Sequence, residues 1–321
     1  NNYGINLSGS GVVKSSIGSL TLSGVAGSGT NSQGIYLGGS TLGGSGQIGA
    51  ITLKTNALNV SSTNALTTSG MVTLQPYTSG ASIGVGSGSG TLLLPASLFS
   101  GASKLVTDGA SSIVLGSSTA GDITVGGANT FTDSVSLVSG GNITLNSGAT
   151  ITDSQNNGYI ALAATGNFIN NATGSPLIAS GTGGRWLVYS NAPGTDTFGT
   201  MDSANAPVWN ASFDTMAPSS VQVAGNRYLF TGTPSVTVTA GGTKVYGTAW
   251  STSDVLGLSS SSGGSSVYTL PTLADVFSVN PVVTSGGLAA TATVAGGPYA
   301  ITVVAGTSNG SYNITYATPG T

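Results

Sequence analysis

The sequence contains no cysteine, no histidine and no glutamate. Without thiols it forms no disulfide and no thiolate metal site, and it carries no thiol chemistry. Without imidazole it lacks the commonest general base and zinc ligand. Charged residues make up only 5% of 321 residues, with six Lys+Arg against nine Asp and a net charge of −3. An average globular chain carries roughly 25%. A nucleic-acid site needs a row of cations to displace counterions, and an anionic membrane surface needs a basic patch; six scattered cations supply neither. No run of apolar residues is long enough to span a bilayer as a helix. The opening Asn1-Asn2-Tyr3-Gly4 has neither the basic start nor the apolar run of a signal peptide, so the chain reads as a mature or internal piece.

What is present points one way. Hydrophobic residues reach 39%, enough for a core, and 52 glycines accompany abundant Ser, Thr and Asn. The straight-chain helix formers are scarce, while β-branched and turn-forming residues dominate, so an all-β chain is expected.

A five-residue pattern recurs: Gly, any residue, apolar, Thr, apolar. It occurs at Gly18-Ser19-Leu20-Thr21-Leu22, Gly49-Ala50-Ile51-Thr52-Leu53, Gly70-Met71-Val72-Thr73-Leu74, Gly121-Asp122-Ile123-Thr124-Val125 and Gly141-Asn142-Ile143-Thr144-Leu145. Variants stand at 35–37, 92–94, 113–115 and 160–162. The steps Gly49 to Gly70, Gly121 to Gly141, Val72 to Leu92 and Leu92 to Ile113 are 21, 20, 20 and 21 residues. Each triplet alternates as a strand with one buried face does, and each is too short to stand alone. A repeat of about 20 residues with short strands between glycine turns predicts a parallel β-helix over 1–175, with Asn and Ser ladders at its turns. Nine rungs at about 4.8 Å make a rod of roughly 40 Å. The echo of Phe131-Thr132-Asp133-Ser134 in Ile151-Thr152-Asp153-Ser154, 20 residues on, predicts that the two tetrapeptides stack at one corner.

Between 176 and 232 the pattern gives way to aromatics, among them Trp186, Tyr189, Phe198, Trp209, Phe213, Tyr228 and Phe230. This stretch is expected to cap the exposed end of the stack and connect onward. From 233 to 321 the spacing changes again and predicts a small β-sandwich-like or β-grasp-like domain. Its expected strands are 235–240, 267–270, 288–294, 299–304 and 312–316, with a short helix at 273–277.

The N-terminal stretch resembles the haemagglutination-type β-helices of filamentous haemagglutinin-like exoproteins secreted by Gram-negative bacteria, and Gly184-Arg185-Trp186-Leu187-Val188-Tyr189-Ser190 before Pro193 looks like the segment that ends such coils. Val236-Thr237-Val238-Thr239-Ala240 with Lys244-Val245-Tyr246-Gly247 is similar to the opening of an MBG-type (Tyr-Gly) repeat domain. Pro298-Tyr299-Ala300-Ile301-Thr302 and Tyr312-Asn313-Ile314-Thr315-Tyr316 fit its later strands. The resemblance covers most of the chain. It implies an extracellular adhesin, matrix component or filament, and brings no catalytic residues. No cofactor is expected; the low charge and open strand edges make copies of itself a candidate partner, and the aromatic region makes surface glycans another.

Motifs with chemical meaning are few. Gly44-Ser45-Gly46-Gln47-Ile48-Gly49 matches a dinucleotide fingerprint but precedes a strand rather than a helix, and reads as a turn. Gly80-Ala81-Ser82-Ile83-Gly84 matches a nucleophile elbow, yet the chain has no histidine to serve it. A polysaccharide-cleaving β-helix needs clustered carboxylates. Of the nine Asp, only Asp133 and Asp153 are expected to meet, as a cation site or, more plainly, as two turn-closing side chains. Trp186, Trp209 and Trp250 are candidates for a sugar-stacking platform; the plainer reading buries them in the cap and its contacts. Lys244 and Tyr246 read as a strand end and a core tyrosine. Three functions remain in view: a non-catalytic rod or fibre module, a glycan-binding module near 186–230, and a polysaccharide-degrading enzyme.

Overall fold

A computed structural model describes residues 2–15, 17–61, 65–101, 105–106, 109–260, 267–269 and 271–317. The chain is mostly β, in long parallel sheets with a β-helix-like arrangement. The dominant sheet has nine strands. In spatial order they are Leu20–Ser23, Ile51–Lys54, Met71–Gln75, Ser112–Ser117, Val135–Ser139, Tyr159–Ala164, Arg185–Ser190, Arg227–Phe230 and the short Val208–Trp209. Neighbours pair in parallel, and the register is set by alternation. Leu20, Ile51, Val72, Ile113, Val135, Ile160 and Trp186 stand in one column, and Leu22, Leu53, Leu74, Leu115, Leu137, Leu162 and Val188 in a second two residues on. From Ile51 onward the members of both columns are buried. Period-two alternation keeps every such side chain on the inner face, and a slip of one residue would expose a whole strand's set.

Further parallel ladders back this sheet. Ile83–Gly86, Ile123–Gly126, Ile143–Leu145 and Phe168–Asn170 form one, with Ile83, Ile123, Ile143 and Phe168 in a single column. Ala128–Phe131, Thr150–Asp153 and Leu177–Ala179 form another. Earlier in the chain, Tyr3–Ser8, Gln33–Gly38 and Leu58–Val60 pair in parallel, as do Val12–Val13, Thr41–Gly43 and Leu66–Thr67. The chain visits the ladders in turn, so the core lies between them.

Three expectations about the repeat are corrected. The recurrent pentapeptide occupies two ladders: Ile51-Thr52-Leu53 lies in the nine-stranded sheet, whereas Ile123-Thr124-Val125 and Ile143-Thr144-Leu145 lie in the sheet facing it. Leu92 does not step between Val72 and Ile113, which pair directly although 41 residues apart. Instead Leu92–Leu94 pairs in parallel with Ile83–Gly86, after a return through Gly86-Ser87-Gly88-Ser89-Gly90. That return lies flat on its neighbours: a Cβ on Gly88 would stand 1.9 Å from the Thr124 carbonyl oxygen, and one on Gly84 2.2 Å from the Gly88 carbonyl oxygen. Finally, Phe131 pairs with Asp153 and Asn129 with Ile151, two residues out of the expected stacking, because this turn of the chain is 22 residues long rather than 20.

The pairing also runs past residue 175. Leu177–Ala179 and Arg185–Ser190 complete another turn, and Arg227–Phe230 adds a further strand on it. The predicted side-chain ladder is present at one corner: Asp122 Oδ1 accepts the Asn142 N–H at 2.7 Å, and Asn142 Oδ1 accepts the Asn167 N–H at 2.8 Å.

Beyond residue 233 antiparallel pairing enters. Ser235–Ala240 lies between Leu256–Ser260, antiparallel, and Asn313–Tyr316, parallel. Phe277–Val279 pairs with Thr307–Ser308, and Val282–Thr284 with Thr302–Val304. The expected short helix is the single turn Leu273–Val276, whose capping box joins Thr272 to Asp275; Ser251 and Asp254 cap Thr252–Val255 in the same way. The strands expected at 267–270 and 288–294 are not strands: the described residues 267–269 make a turn, Leu270 lies outside the described residues, and tight turns occupy Gly286–Leu288 and Val294–Gly296. The Ser285 and Thr293 hydroxyls accept the N–H groups of Gly287 and Gly296, a local alternative to the sheet ladder. No helix among the described residues is long and apolar enough to cross a membrane.

Candidate functional site

Asp133 and Asp153 both lie inside the protein, at 3% and 0% exposure. Alternation along Thr150–Asp153 sends Asp153 to the same inner face as Ile151. Its Oδ1 accepts the Gln155 N–H at 3.0 Å, closing the corner through its own backbone, and no partner is found for the buried Oδ2. Asp133 Oδ1 instead accepts the Gly109 N–H at 2.9 Å, on the preceding turn of the chain. Burial pushes the Asp153 carboxyl above its ordinary range; the Gln155 N–H opposes this and the Asp133 charge adds to it. The two residues share no register position, and the Asp133 charge is the smallest of these three influences on Asp153. Among the described residues no group of three or more acidic side chains gathers where a metal ion could sit, and Asp108 lies outside them.

Trp186 and Trp209 are buried, at 4% and 8% exposure. Trp186 continues the inner column begun by Leu20, and its ring meets Tyr228 edge-on at 5.1 Å. Trp209 lies 4.9 Å from Phe230. Phe198 and Tyr268 complete the cluster, with Tyr268 within 6.2 Å of Phe198, Tyr228 and Phe230. These two indoles therefore close the end of the stack and leave no ring face for a sugar, which corrects the platform drawn from 186 and 209. The closure also takes Val267 and Tyr268 from beyond residue 233, held by the Ser203 N–H on the Val267 carbonyl at 2.9 Å.

One carboxylate serves this closure. Asp196 Oδ1 accepts the Phe168 N–H at 2.8 Å, and its Oδ2 accepts the Ser190 hydroxyl. Burial raises its pKa to about 6 against those two bonds. Two of the cations are also committed to structure. Arg185 donates to the carbonyls of Pro218, Val221 and Val223, binding that segment to the stack. Arg227 donates to Ala206 and Ala224. Charge counting could not anticipate this use, because a backbone carbonyl leaves no mark in the sequence.

A concave feature with free hydrogen-bonding groups lies elsewhere, in the C-terminal region. A cleft of about 470 Å³ opens between residues 242–250 and 285–301. Three bonds hold its walls together: the Trp250 N–H to the Leu288 carbonyl at 2.9 Å, the Gly247 N–H to that of Ala290 at 3.0 Å, and Lys244 Nζ to that of Ala289 at 2.6 Å. Lys244 Nζ donates also to the Thr248 carbonyl at 2.8 Å. Val255, Leu288 and Ile301 are among its apolar lining, and Trp250 and Tyr299 present aromatic rings. Each ring is seated on glycine: a Cβ on Gly242 would meet the Trp250 ring at 2.8 Å, and one on Gly287 the Tyr299 ring at 3.2 Å. Tyr246, read from sequence as a core residue, is 62% exposed at the rim. Its segment is not a strand, and the Tyr-Gly signal carries no sign of which way the ring points.

Compared with known proteins, the chain matches no family model, no curated protein and no solved structure.

Proposed function

We propose that this chain is a non-catalytic structural module of a secreted bacterial surface or extracellular-matrix protein, a rod segment for adhesion or biofilm. In this reading the parallel ladders are successive faces of one β-helix, and the C-terminal region is the MBG-like unit that the Tyr-Gly signature suggests. The observation that carries it is the unbroken nine-stranded parallel sheet with its aliphatic inner columns. Such stacking turns chain length into physical length at about 4.8 Å per strand. Among the described residues, the strands Val12–Val13 and Leu20–Ser23 are each paired on one side, and an outer edge of this kind is a template for a further strand from another copy. Low charge leaves little repulsion between copies.

Negative-stain electron microscopy tests the reading. Particles with a long axis of at least roughly 40 Å are expected, and filaments of uniform width would add self-assembly to it. Round particles without a long axis overturn the rod. A reducing-sugar assay on polysaccharides should stay at background; release of sugar overturns the non-catalytic part.

A further inference from the structure

The C-terminal cleft has the attributes of a small-ligand site: an apolar floor, aromatic walls and a few polar groups that converge on one space. Its volume of about 470 Å³ falls within the roughly 300–1,000 Å³ of small-molecule sites. We propose that it binds a short neutral saccharide, with the Trp250 and Tyr299 rings against the sugar's apolar C–H face and the rim hydroxyls on its edges.

Three observations select this class. The first is charge. No carboxylate lines the cleft, and its one cation, Lys244, already donates to the carbonyls of Thr248 and Ala289. A cationic ligand would find no counter-charge there, and an anionic one would compete with two carbonyls for the single ammonium. The second is unspent hydrogen bonding. Among the described residues the Trp250 indole N–H and the hydroxyls of Thr243 and Tyr246 have no hydrogen-bond partner, and the Trp250 nitrogen is not a buried orphan. The hydroxyls of Ser285 and Thr293 accept backbone N–H groups and keep their own protons to donate. A purely apolar occupant would bury these donors unsatisfied, at a cost of about 1–3 kcal/mol each. The third is shape. Trp250 and Tyr299 lie flush on Gly242 and Gly287, where any larger residue would displace them, so the rings are held in place before a ligand arrives. A pyranose is amphipathic in the matching sense: an apolar face ringed by hydroxyls. The proposal does not depend on the rod reading.

The test uses the full chain. Maltotriose, cellotriose and mannotriose are titrated against intrinsic tryptophan fluorescence and saturation-transfer NMR, with trigalacturonate as the charged control and 1-hexanol as the apolar one. Trp186 and Trp209 are buried, so a change on binding reports Trp250. At least one neutral trisaccharide should saturate below about 10 mM, and Tyr246→Ala and Thr243→Val should each weaken it at least about fivefold. Both side chains are exposed at the rim, so these variants keep the fold, which circular dichroism verifies. The proposal is overturned if none of the three sugars saturates, if both variants bind as the parent does, or if trigalacturonate or hexanol binds at least as tightly as the best neutral sugar.

Discussion

Asp122 and Asn142 stand one turn of the chain apart at the same corner, and the carboxylate of the first accepts the backbone N–H of the second at 2.7 Å. Asn142 repeats the arrangement toward Asn167, and Thr195 then donates its hydroxyl to Asn167 Oδ1 at 2.8 Å. The corner thus has its own thread of bonds beside the strand ladders. Asp122 and Asn142 each satisfy a backbone donor just before the next strand.

Removing one link should be felt along the stack. Asn142→Ala deletes the acceptor for the Asn167 N–H but leaves the bond from Asp122 intact. A loss of about 1–2 kcal/mol is expected, the value of a half-buried bond plus an orphaned donor. Asn142→Asp keeps the acceptor and should lose less. Urea denaturation followed by circular dichroism checks both.

Asp196 makes stability depend on pH. Its carboxyl titrates near 6 in the fold against 3.8 for a free side chain. A raised pKa means that ionisation costs more in the folded state. Its contribution is therefore intact below about pH 4 and is lost as pH rises through about 6, by about 2 kcal/mol after allowing for partial exposure. Asp196→Asn should flatten the melting temperature between pH 4 and pH 7 and raise it at pH 7. A variant that melts lower than the parent at pH 7 would show that the charge is worth more than its desolvation.

The glycines of the return over Ile83–Gly86 leave no room for a side chain. Gly88→Ala places a methyl group 1.9 Å from the Thr124 carbonyl oxygen, and should cost about 1–3 kcal/mol through backbone displacement. Gly194→Ala meets nothing within 4 Å and should change stability by less than about 0.5 kcal/mol. The pair of melting temperatures separates steric contact from the general effect of replacing glycine.

The alternating triplets revealed the strands, because one buried face leaves a period of two in any sequence. They did not reveal which ladder each strand joins. Ile51-Thr52-Leu53 and Ile123-Thr124-Val125 look alike because both ladders face the same core. Leu92 was misplaced because the nominal repeat hides a detour, and glycine turns carry no mark of their length. The echo of Asp133 in Asp153 carries no sign that both side chains face inward. At the candidate site, Trp250 was legible as a ring that a ligand could use. Its setting was not, since the cleft depends on carbonyl bonds from Lys244 and on the tight turns at Gly286–Leu288 and Val294–Gly296.

Met71–Gln75 pairs directly with Ser112–Ser117 although 36 residues of chain lie between them. Part of that intervening chain, Leu92–Leu94, pairs with Ile83–Gly86 in another ladder. A stack of strands pulled along its axis would carry force in series through the directly paired strands. Chain added to such a detour would therefore lie beside the line of load, as slack that adds no length to the stack.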